Sequence, residues 1–88
     1  MHFKSNETIE KRTADKTLRF IKYHLHETKH VPLPSIAIKW RQNKVEVNGK
    51  EAARVSDTGE ATYENDFIDI KAAVGRSMSE WKGRRRLK

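Results

Sequence analysis

Apolar positions in the N-terminal third recur at helical spacing. Ile9, Leu18, Ile21 and Leu25 fall on one stripe, widened by Phe20, while Lys11, Arg12, Lys16, Arg19 and Lys22 fill the other positions. No Gly or Pro interrupts residues 4–31, so the pattern predicts a helix of roughly 20 residues. Asn6 is a suitable N-cap, and Glu7 and Glu10 place carboxylates where the helix dipole favours them. Pro32 and Pro34 force Val31 and Leu33 toward extended geometry and end the helix.

The period then changes to two. Ile36, Ile38 and Trp40 alternate with Ala37, Lys39 and Arg41, which predicts a strand carrying Trp40 on the same core face as the two isoleucines. Gln42-Asn43 turns the chain into a second strand around Val45 and Val47. Asn48-Gly49 is a strong hairpin signal, because a type I′ turn needs two residues with positive φ. Residues 51–55 form a third, Ala-rich strand. Ser56-Asp57-Thr58-Gly59 is a loop, and Ala61-Thr62-Tyr63 is either a short strand or extended chain. Asn65 or Asp66 caps a second helix with Ile70, Ala73, Val74 and Trp81 near one face, Phe67 and Met78 beside it, and Gly83 as its stop. Gly75 within it either weakens the helix or allows close packing on the sheet. The predicted fold class is α+β: an N-terminal helix, a three-stranded antiparallel meander, a C-terminal helix and a disordered basic tail. Residues 1–83 form a single small domain and residues 84–88 the tail.

Charge adds what hydropathy leaves out. The chain of 88 residues carries a net +7, distributed as +5 over residues 1–41, −4 over 42–70 and +6 over 71–88. An anionic partner is therefore expected at the two ends. Five cations fall within residues 82–88 (Lys82, Arg84, Arg85, Arg86 and Lys88), a run able to neutralise several phosphates. Lys39 and Arg41 flank Trp40 and extend the candidate contacts to the first strand. These seven residues define the expected nucleic-acid site. The expected function is that of a small non-enzymatic accessory protein that binds DNA or RNA, largely through phosphates and with little sequence specificity. A protein-interaction module, an inhibitor or adaptor of a host protein, is the alternative. In that case Glu51, Asp57, Glu60, Glu64 and Asp66 of the acidic middle would meet a basic partner.

One pattern resembles a catalytic signature. His26-Glu27-Thr28-Lys29-His30 matches the H-E-x-x-H motif of zinc metalloproteases, which implies His26 and His30 as metal ligands and Glu27 as general base. Lys29 within the motif and Pro32 just after it argue for exposed histidines on a last helical turn instead. No cofactor is therefore expected, and a zinc hydrolase stands as the third reading. The four glycines are scattered singly and form no phosphate loop. The absence of cysteine removes disulfides and thiolate metal sites and fits a cytoplasmic setting. No apolar run is long enough to span a bilayer, and no secretory signal is expected at the N-terminus. Helix, meander and helix is also the element order of the double-stranded-RNA-binding domain. That family's Gly-Pro-x-His loop and Lys-Lys-x-Ala-Lys helix start are missing here, so none of its phosphate-contacting residues carries over.

Overall fold

The computed structural model describes residues 5–86, and side chains over residues 11–84. Helix α1 (Ser5–Lys29) is followed by strands β1 (Ile36–Lys39), β2 (Lys44–Val47), β3 (Lys50–Val55) and β4 (Ala61–Tyr63), then by helix α2 (Lys71–Arg86). All neighbouring strands pair antiparallel in the order β1-β2-β3-β4. The fold is thus α+β, with a four-stranded sheet rather than three strands. Ala61-Thr62-Tyr63 is the added strand, paired with Val55, Arg54 and Ala53 of β3.

Sequence accounts for most boundaries. Helix α1 is already running at Ser5, one residue before the expected cap Asn6, and ends at Lys29 ahead of the prolines. Leu33, expected to be extended before Pro34, instead opens a short 3₁₀ turn, Leu33–Ser35, closed by Ser35 N–H on the Pro32 carbonyl at 2.9 Å. His30 takes a left-handed φ of 60°, which turns the chain off the helix, and Val31 N–H closes the end on the Leu25 carbonyl at 3.1 Å. Asn48 and Gly49 adopt φ of 53° and 85°, as a type I′ hairpin requires. Strand β1 stops at Lys39, because Trp40–Gln42 winds into a short 3₁₀ turn closed by Asn43 in the left-handed region. This removes Trp40 from the strand and from the face of Ile36 and Ile38, correcting the expected alternation. Residues Asn65–Ile70 form a 3₁₀ turn that runs directly into α2, so the helix begins after the expected caps. Gly83 does not stop it. Residues 84–86 continue the helix, where a disordered tail was expected.

Helix α1 covers one face of the sheet, and α2 packs against α1. Ala14, Leu18, Ile21 and Leu25 from α1 meet Ile70, Val74 and Met78 near and on α2, and Ile36, Val45, Ala53 and Val55 from the strands. Each fully buried Leu, Ile or Val contributes about 1.5–3 kcal/mol of transfer free energy. The opposite sheet face is polar and paired internally. Lys44 lies 3.5 Å from Glu46, and Arg54 grips Glu51 through two hydrogen bonds of 2.8 and 3.2 Å. The turn from β3 to β4 docks on α1, where the Gly59 carbonyl lies 3.4 Å from Thr17 Oγ, whose hydroxyl donates to the Thr13 carbonyl at 2.8 Å.

Candidate nucleic-acid interface

With α1 seated on the core through its apolar stripe, the helical period turns Arg12, Lys16, Arg19 and Tyr23 outward at spacings of four, three and four residues. The rise of about 1.5 Å per residue spreads Arg12 to Arg19 over roughly 10 Å. A large aromatic flanks this row on each side. The Arg19 guanidinium lies over Trp40 at 5.3 Å from the ring centroid, and Trp40 is 39% exposed. On the other side, Lys16 Nζ sits 5.8 Å from the Trp81 centroid and 5.3 Å from that of Phe20. Arg12, Asp15, Lys16, Arg19 and Trp81 line an open cleft of about 260 Å³.

Contacts between the helices fix these positions. They climb α2 as they descend α1: His24 Nε2 to Ser77 Oγ at 2.9 Å, Thr17 Oγ to Met78 Sδ at 3.5 Å, then Lys16 over Trp81. The helices therefore run antiparallel, and the basic end of α2, from Lys82 onward, continues toward the N-terminal half of α1. Lys11 anchors the Trp40 side, donating to the Trp40 carbonyl and to Asn43 Oδ1, both at 3.2 Å. It also lies 3.3 Å from Asp15 Oδ1, an ion pair without hydrogen-bond geometry.

Of the residues expected from sequence to bind nucleic acid, Arg41 is exposed in the 3₁₀ turn that carries Trp40, and Lys82 and Arg84 are exposed on the last turns of α2. Lys39 projects from the outer sheet face, opposite Lys44. Arg85 and Arg86 belong to α2 with side chains outside the described set, and Lys88 lies outside the described residues. Among the described residues, Arg12, Lys16, Arg19, Lys39, Arg41, Lys82 and Arg84 have no ion-pair partner. Lys29, Lys44 and Arg54 are engaged by carboxylates. The Arg12-Lys16-Arg19 row was not among the expected binding residues. Its spacing was visible in the sequence, but its tryptophan flanks come from distant segments and follow no local pattern.

The acidic candidates disperse over several segments. Glu51 is held by Arg54, whose hydrogen bond keeps its carboxyl below the usual range, and by Lys44 at 4.0 Å. Asp57 accepts from Asn43 Nδ2 at 3.4 Å. Glu60 lies in the β3–β4 loop, Glu64 follows β4, and Asp66 sits in the 3₁₀ turn, all exposed.

The histidines do not form the pair that the H-E-x-x-H motif needs. His30 lies past the end of α1 at a φ of 60°, and His26 Nδ1 is engaged with the Val31 carbonyl at 2.9 Å. Among the described residues no group of three His, Asp or Glu side chains converges on a metal position. His24 is lowered from its ordinary pKa, first by burial against α2 and then by the charge of Arg76, with Glu27 opposing. Burial raises the Tyr63 phenol to about 12. No helix among the described residues is long and apolar enough to cross a membrane.

Compared with known proteins, the chain matches no family model, no curated protein and no solved structure. The functional reading therefore rests on the chain's own residues.

Proposed function

We propose that this protein is a small, non-enzymatic, cytoplasmic nucleic-acid-binding module that grips phosphates through the exposed face of α1. The observation that carries the reading is the row Arg12, Lys16 and Arg19, three cations on one helix face with no carboxylate partner among the described residues. Lys82 and Arg84 extend it from the antiparallel end of α2, and Arg41 borders it beside Trp40. Such contacts release counterions, position the ligand and carry little sequence information. Lys39 is peripheral to this surface, being placed on the outer face of the sheet.

The acidic middle supports a protein partner less well, since Glu51 is already spent on Arg54 and Lys44. Fluorescence anisotropy with labelled DNA and RNA at about 50 and 200 mM salt tests the proposal. Affinity should fall at least about tenfold between the two salt concentrations. Changing Asp57, Glu60 and Glu64 to Asn or Gln should leave binding unchanged or tighten it. Absence of binding at the lower salt overturns the reading and directs attention to a protein partner.

A further inference from the structure

Resting on the phosphate-binding reading above, we infer that the ligand of the α1 face is a single-stranded nucleic acid whose bases stack on Trp40 and Trp81. Each tryptophan is already coupled to a cation of the row, Trp40 to Arg19 at 5.3 Å and Trp81 to Lys16 at 5.8 Å. In the free protein these cations rest on the rings; the Trp40 pair is exposed, where such contacts are weak, while Trp81 and Lys16 are half-buried, with Trp81 packed against the edge of the core. A nucleotide satisfies both groups at once. Its phosphate gives the cation a charge-assisted partner, and its unpaired base gives the ring a π face to stack on. A duplex meets only the first need, because its bases present edges in the grooves while their faces stay stacked.

The relief of the surface agrees with this. Beside Trp81 lies the open cleft of about 260 Å³, walled by Arg12, Asp15, Lys16 and Arg19. The Asp15 carboxylate disfavours a phosphate at that point, leaving the cleft to a base while Arg12 and Arg19 hold the backbone beside it. The rings sit on opposite flanks of α1, so a strand using both must cross the helix, about 10–12 Å wide with its side chains. Several consecutive nucleotides are therefore needed.

The test is anisotropy and tryptophan-fluorescence titration of the full chain with a labelled oligothymidylate of about 20 nucleotides and a mixed-sequence duplex of the same length, at about 50 mM salt. Single-strand binding should exceed duplex binding by fivefold or more and should quench tryptophan emission. Trp40→Leu, at an exposed site, should weaken single-strand binding roughly five- to 100-fold and duplex binding less than twofold. Trp81→Phe, which keeps an aromatic packing group, should leave the circular dichroism unchanged and weaken single-strand binding by a smaller factor. Equal affinities, a duplex preference, or a single-strand preference that both tryptophan variants leave intact overturns the single-strand assignment, while the phosphate reading stands. No binding to either oligonucleotide overturns both.

Discussion

Replacing Gly59 by alanine places a Cβ 2.6 Å from Thr13 Cγ2 and 3.5 Å from Thr13 Cβ, at a residue whose φ is +95°. Two costs follow. Holding an L-residue in left-handed backbone costs about 1–2 kcal/mol. Overpacking against a buried threonine on α1 adds about 1–3 kcal/mol, because helix and turn must move apart. The sum, about 2–5 kcal/mol, is a large share of the roughly 4–13 kcal/mol expected for a chain of this length. It corresponds to a fall in Tm of about 10 °C or more. Urea unfolding followed by tryptophan emission measures it, with circular dichroism as a second probe of two-state behaviour. The geometry also predicts a rescue. Thr13→Ser deletes the offending Cγ2, so in that background Gly59→Ala should cost only the backbone part, and the double-mutant cycle should show about 1–3 kcal/mol of coupling. A Gly59→Ala cost below about 0.5 kcal/mol, or an equal cost in the Thr13→Ser background, refutes the docking of the β3–β4 turn on α1.

Other expectations follow from single positions. A Cβ at Gly75 meets nothing within 4 Å, so Gly75→Ala should stabilise α2 by about 0.5–1 kcal/mol in urea titration, and a loss instead would mean that the helix packs closely there. His30 holds φ of 60° just past α1. His30→Gly should therefore raise stability by about 0.5–1 kcal/mol, measured the same way, and a fall would show that its ring is needed. The pKa of His24 is lowered from 6.5 in the folded chain, so the unfolded chain takes up the proton first. Its contribution is complete above the unfolded value and is lost as pH falls through 6.5 toward the lowered one. Unfolding free energies of the wild type and His24→Gln, compared between about pH 7 and 5, should diverge in slope, and parallel curves reject the burial of His24.

Where the chain carries strong local chemistry, sequence and structure agree. Pro32 ends α1 because the residue before it is pushed out of helix, whereas Leu33 before Pro34 winds into a 3₁₀ turn all the same, and Asn48-Gly49 turns the hairpin because both residues accept positive φ. Weak local signals were decided by tertiary contacts. Strand β4 has three residues, none fully buried, and is defined by its pairing with β3. Helix α2 passes through Gly83 because a glycine costs a helix only about 1 kcal/mol. Trp40 left the predicted strand because the turn into β2 begins at Trp40, two residues earlier than the alternation suggested. The candidate site divides in the same way. The spacing of Arg12, Lys16 and Arg19 is a local property of α1 and was readable, whereas the approach of Trp40 and Trp81 to that row depends on how the β1–β2 turn and α2 dock against α1.

The central claim is that the α1 face, rather than net charge in general, holds the phosphates. The most direct measurement is the salt dependence of single-strand binding for the wild type and for a variant carrying Arg12→Gln, Lys16→Gln and Arg19→Gln. Each phosphate neutralised contributes about 0.7 to the slope of log affinity against log salt. If the three cations each hold one phosphate, the variant binds more weakly and its slope is shallower by about 2. A variant that keeps the wild-type affinity and slope contradicts the account and moves the contacts to the remaining basic residues.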